Sequence, residues 1–119
     1  MPVWSIKIVA GAAGAPAKFI ADNPAIPAGN PLLVFAGDLV SWNNTTGDRH
    51  QPWPTDSNFV KLTDAQVGTH GEPNYLSDEI PAHQSSTPSW TAVASPITAK
   101  TIFYCCKLHA QEHGKIIIT

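Results

Sequence analysis

The C-terminal eighteen residues, Ile102 to Thr119, constrain this chain more than any other stretch. They read as strand, tight loop, strand: an apolar run ending in Tyr104-Cys105-Cys106, a polar loop, then Lys115-Ile116-Ile117-Ile118-Thr119. The loop holds Cys106, His109, Glu112 and His113, four potential metal ligands within eight positions. A thiolate and an imidazole closing a short loop between apolar strands suit a soft or borderline metal, because the thiolate supplies soft charge and the strands hold the loop rigid. A further ligand must come from elsewhere. The obvious donor is His50, which follows the strand-like run Asp38-Leu39-Val40-Ser41-Trp42.

The two cysteines are adjacent, and a disulfide between neighbours is strained because its geometry wants the Cα atoms further apart than one peptide allows. In a strand, successive side chains face opposite ways. Tyr104 and Cys106 are therefore expected on one face, with Phe103 and Cys105 on the other, Cys106 as the ligand and Cys105 as a small buried apolar residue. The same alternation points His113 away from the loop, although it remains the substitute fourth ligand if Glu112 swings out to solvent.

The rest of the chain predicts one all-β domain spanning residues 1–119. With 13% charged residues, 11 Pro and 8 Gly, the composition suits short strands joined by turns better than helices. Strands are expected at 3–9, 18–21, 32–35, 39–42, 90–94, 100–106 and 115–119, giving about seven to eight in a β-sandwich. Residues 43–54 read as irregular because Gly47, Pro52 and Pro54 oppose regular structure. The stretch 55–80 reads as a long insertion packed by Phe59, Val60, Leu62, Tyr75 and Leu76, with one helical turn capped by Thr63. Trp42, Trp53, Trp90, Phe35 and Tyr104 are the expected aromatic core, with Trp53 also a candidate rim of the ligand loop. His70 and His83 are not expected to be ligands. The net charge of −2 carries no nucleic-acid footprint, and no apolar run reaches the roughly 18 residues of a membrane span.

Gly37-Asp38-Leu39-Val40-Ser41-Trp42-Asn43, then His50, then Tyr104-x-Cys106-x-x-His109 before Gly114-Lys115-Ile116-Ile117-Ile118 resembles the cupredoxins, most nearly the short-loop amicyanin and plastocyanin type. Ile80-Pro81-Ala82-His83-Gln84-Ser85-Ser86 resembles that family's Ile-Pro-Ala-Gly-x-Ser stretch, with His83 where the family often has Gly. The resemblance implies a Greek-key sandwich, one copper ion per chain, His50, Cys106 and His109 as equatorial ligands, and one-electron transfer with a redox partner outside the cytoplasm. It also implies that Gln51 stands where the family commonly ties the cysteine loop by a hydrogen bond. The departure from the pattern is Glu112, at the position of the family's axial Met; the chain's only Met is Met1. A carboxylate is harder and anionic, so it favours Cu(II) and a tetragonal geometry.

Several functions follow. The leading one is an electron carrier rather than an enzyme. A second is a red copper site similar to nitrosocyanin, chemically rather than by position, in which the carboxylate and an open coordination position admit a small molecule. A third is a copper or zinc carrier, since Cys, two His and a carboxylate also suit tetrahedral zinc. A metal-free interaction module is the fourth. Met1-Pro2-Val3-Trp4 enters a strand with no export signal, so the chain is expected either as an exported, periplasmic protein whose signal is absent from this sequence or as a cytosolic one.

Overall fold

The computed structural model describes residues 3–13, 15–22, 31–69, 71–87, 89–94 and 99–119. All of the loop expected at 23–31 except Pro31, and His70, lie outside the described residues. In chain order the elements are β1 (Val3–Val9), β2 (Lys18–Asp22), β3 (Leu32–Val34), β4 (Leu39–Asn44), β5 (Pro52–Thr55), α1 (Asp64–Val67), β6 (Trp90–Thr91), β7 (Thr101–Cys106) and β8 (His109–Ile118). They form two four-stranded sheets, β2-β1-β4-β6 and β3-β8-β7-β5. The pairs β1–β4 and β3–β8 are parallel and the others antiparallel. This is the expected Greek-key β-sandwich.

Alternation along each strand builds the core. Ile6, Ile8, Val40, Trp42 and Trp90 of one sheet face Leu32, Val34, Ile102, Tyr104, Ile116 and Ile118 of the other, all buried in one cluster. Tyr104 is its centre. Its ring meets Trp42 edge-on at 5.6 Å and Phe19 at 4.9 Å, and its hydroxyl accepts from Trp42 Nε1 at 3.3 Å. Edge-to-face contacts of this kind add about 0.5–1.5 kcal/mol each beyond burial. Across the β7–β8 ladder Tyr104 pairs with Gly114, where an added Cβ would lie 2.6 Å from Tyr104 Cε2. The glycine is therefore what lets the ring lie flat against β8.

Three expectations change. Residues 52–55 form a strand despite Pro52 and Pro54, because β5 is the edge of its sheet, where a missing N–H breaks no ladder bond. The strand expected at 90–94 shortens to Trp90–Thr91. Phe35 is 67% exposed rather than core, since it follows β3 and its backbone N–H turns to Asp38 Oδ2 at 3.0 Å. Trp53, by contrast, is buried, with its ring N–H donating to Leu62 O at 2.9 Å.

The 55–80 segment is a flap on the outer face of the second sheet. Thr63 caps α1 in a reciprocal capping box with Gln66. Val67 is buried under it and Leu76 joins the core between the sheets, whereas Val60 is exposed. Phe59 stacks on His113 at 4.0 Å and meets Phe103 edge-on at 5.5 Å. Trp53, Cys105 and His113 are cross-strand neighbours and so share that outer face. The flap explains why Cys105 is as buried as Cys106 although the two lie on opposite sides of β7. Both are free thiols.

Candidate metal centre

Four side chains converge at one end of the sandwich: His50, Cys106, His109 and Glu112, whose candidate donor atoms all lie within 4.8 Å of one another. Each arrives by a different local device. His50 sits after β4, where its backbone N–H donates to Ile80 O at 3.2 Å and its carbonyl accepts from Ile80 N at 2.7 Å. Buried Asn44, the last residue of β4, fixes the intervening loop. Its Nδ2 reaches Asp48 O, Ile80 O and Pro81 O at 2.7, 3.2 and 3.1 Å.

Cys106 ends β7, and a two-residue turn at Lys107–Leu108 leads directly into His109, which pairs with it. The second strand thus begins at His109, well before the expected Lys115. The register then breaks. Cys105 pairs with His113, but Cys106 pairs with His109, so residues 110–112 are extra on β8. This bulge re-aims the strand and folds Glu112 back over the hairpin.

Glu112 is 5% exposed and both of its oxygens are engaged. Oε1 lies 2.9 Å from His50 Nδ1 and 3.5 Å from His109 Nδ1, and Oε2 accepts from Ala17 N at 3.0 Å. It does not swing out to solvent. His113 is the residue that does: its Nε2 lies 2.9 Å from Ala110 O, and its ring rests on Phe59. His83 is exposed, outside the group, and adopts φ of 60°.

Both ring nitrogens of His50 have partners. Thr46 Oγ1 lies 2.9 Å from Nε2 and can donate to Asn44 Oδ1 at 2.8 Å or Asp48 O at 3.2 Å, so it is free to accept a hydrogen from Nε2. Nδ1 faces a Glu112 carboxylate oxygen at 2.9 Å. With a metal ion on Nδ1, the ring hydrogen would sit on Nε2 and go to Thr46. A ligating histidine typically donates its other ring N–H in this way. The donor chemistry thus fits a metal ion.

Cys106 is fully buried. Burial pushes its thiol up, while the backbone N–H groups of Gln51, Leu108 and His109 pull the other way by favouring the thiolate. Gln51 N lies 3.4 Å from Sγ, and Lys107 N donates to Gln51 O at 2.7 Å. The tie to the cysteine loop is thus the backbone of Gln51; its side chain turns away to Ser77 O at 3.0 Å. Burial also raises the Cys105 thiol, to about 11. His109 completes the group with Nδ1 3.5 Å from Cys106 Sγ and its side chain 39% exposed.

Thr46, Asn44 and the Ala17 N–H are supports of this group that sequence reasoning missed. A Thr four residues before His50 carries no pattern of its own, and a backbone donor leaves no signal in the side chains. Ala17 also marks a second feature. Beside the group lies an open cleft of about 480 Å³, lined by described small residues of the β1–β2 loop and by Thr46, Asp48, His50, His109, Gln111 and Glu112. No described helix is long and apolar enough to cross a membrane.

No known family profile and no curated protein matches this sequence. Solved structures do. A novel purple cupredoxin from Nitrosopumilus maritimus is 15% identical, with a TM-score of 0.61 over 97% of this chain and 98% of its own. A reduced Cu(I) form of an amicyanin variant is 18% identical, with a TM-score of 0.56 over 100% of this chain and 84% of its own. Amicyanin from Paracoccus versutus is 14% identical, with a TM-score of 0.53 over 97% and 81%. The fold is that of the cupredoxins, as the motifs around His50 and Cys106 imply.

Proposed function

We propose that this protein binds one copper ion through His50, Cys106, His109 and Glu112 and serves as a one-electron carrier. The observation that carries this is the convergence of one thiol, two imidazoles and one carboxylate within 4.8 Å. Bonds of about 2.0–2.3 Å from such donors put their ligand atoms roughly 3.3–4.5 Å apart, so the group stands close to a binding arrangement. Copper would supply the change of one electron. The chain supplies a buried thiol under three N–H groups, a histidine held by Thr46, and a half-exposed His109 through which a redox partner would reach the centre. The likeness to copper-containing amicyanin supports the choice of metal and, with it, an exported or periplasmic location.

The carboxylate sets this site apart from a thioether-ligated one. Glu112 is buried and directed at both histidines, which supports a tetragonal site of low potential. The cleft reaching His50, His109 and Glu112 supports a second reading, a red copper site with a position open to a small molecule. Copper-loaded protein gives the test. A strong thiolate-to-copper band lost in Cys106→Ser and kept in Cys105→Ser is expected, red or green if the carboxylate binds. A blue protein means that Glu112 is not a ligand, and no band with zinc bound instead means that the copper reading is wrong.

A further inference from the structure

The cleft beside the four-residue group has no role in carrying an electron. With those residues taken as ligands, as proposed above, we infer that the cleft is the route by which the metal ion reaches them, and that its lining selects a cation. Geometry is the first support. The cleft touches His50, His109 and Glu112 but not Cys106, which is fully buried. An ion arriving along it meets the carboxylate and the imidazoles before the thiol.

The wall is the second. Ala10, Ala12, Ala13 and Ala15 offer nothing larger than a methyl group, so the described residues of this loop leave the passage open. Gly11 lets that loop close on itself, since a Cβ there would meet Ala15 O at 3.1 Å and Pro16 O closer still. The destination is also held in place: Thr46 holds His50 and Ala17 N–H holds Glu112, so an arriving ion need only part the 2.9 Å contact between His50 Nδ1 and Glu112 Oε1.

Charge is the third. Asp48 lies exposed on the lining and Glu112 lies at the floor, and among the described lining residues there is no Lys or Arg. Nearby cations are directed elsewhere. The Arg49 guanidinium pairs with Glu79 at 2.9 Å, and Lys107 Nζ lies over the Trp53 ring at 4.1 Å. Lys18 lines a neighbouring hollow, which shares Ala15, Pro16, Ala17 and Gln111 with this one. A cleft of one sign focuses counter-ions and raises on-rates by about 10–10³-fold in favourable cases.

Mixing metal-free protein with cupric ion alone and following the rise of the thiolate band tests this. Gln111 lines the cleft, is exposed and is not a ligand. Gln111→Glu should speed association and Gln111→Lys should slow it, each by about two- to fivefold at low ionic strength. Both differences should fade as salt shortens the screening length to about 3 Å at 1 M. Ala13→Phe, which fills the passage, should slow association at every ionic strength. The final spectrum should be the same throughout. Rate changes in one direction for both Gln111 substitutions, or equal rates in all four proteins, overturn the route while leaving the ligand assignment standing. Absence of any thiolate band in the unaltered protein overturns the ligand assignment itself.

Discussion

Thr46→Val isolates the residue that orients His50. Valine nearly matches threonine in shape, so the substitution removes one hydroxyl with little change in packing. That hydroxyl lies 2.9 Å from His50 Nε2 and donates to Asn44 Oδ1 at 2.8 Å; with a metal ion on Nδ1 it would accept the Nε2–H. Asn44 Oδ1 keeps a second donor, Thr46 N at 3.0 Å. His50, 2% exposed, keeps none at Nε2 that the fold supplies. A buried ring nitrogen left without a partner costs about 1–3 kcal/mol, whether it donates or accepts. With a urea slope of about 2 kcal/mol/M for a domain of this size, the midpoint of the metal-free protein should fall by roughly 1 M. Loss of the ring's orienting bond should weaken copper binding about 10–100-fold, or about 1.4–2.7 kcal/mol. Urea melts and a chelator competition measure the two. If both stay unchanged, Thr46 does not hold His50. If stability falls but affinity holds, Thr46 secures only its own loop.

Four further outcomes follow from the same geometry. Gly114→Ala should destabilise the protein by about 1–3 kcal/mol or more, because Tyr104 is held by Trp42 and Phe19 and cannot yield to a methyl group; a denaturation midpoint reads it. His83→Gly should raise stability by up to about 1 kcal/mol, since exposed His83 sits at φ of 60°, a conformation that glycine adopts without strain. Glu112→Met should raise the reduction potential of the copper protein and move its spectrum toward blue, because the anionic carboxylate favours the oxidised ion; a potential that falls or stays put would refute the carboxylate ligand. Burial first, and then the hydrogen bond to Asp78, push Tyr75 up to about 12. Stability is therefore full below the unfolded value of about 10 and declines as the pH rises toward 12, a decline that Tyr75→Phe should make shallower in alkaline melts.

Strands whose alternation decides which face is buried were legible in the sequence. Val3–Val9, Leu39–Trp42 and Thr101–Cys106 carry that pattern directly, and so did the side of β7 on which Cys105 lies. The N-cap at Thr63 was readable because its bonds are local, although its reciprocal partner Gln66 was not singled out. What escaped was set by distant neighbours. Pro52 and Pro54 look like breakers until β5 is known to be an edge strand. Phe35 looks like core until the turn to Asp38 carries it past the sandwich. At the site, the spacing of Cys106 and His109 and their link to His50 could be read, but not the direction of Glu112. That direction depends on a register break at Cys105/Cys106 and on a backbone N–H ninety-five residues away in sequence, at Ala17.

The Ala17 contact also joins features that otherwise look separate. A carboxylate buried beside two histidines needs a partner for each oxygen, or its burial would cost several kcal/mol. One oxygen faces the histidines, and the other must be met from the opposite sheet. The loop between β1 and β2 supplies that donor at its last residue before β2. Its preceding described residues from Ala10 to Pro16, all Ala, Gly or Pro, form the wall of the cleft. A neutral thioether at position 112 would need no such donor and would leave the loop free to drift or close over the site. The carboxylate therefore couples three properties through one hydrogen bond: the charge at the metal, the position of the 10–17 loop, and the opening through which the site is reached.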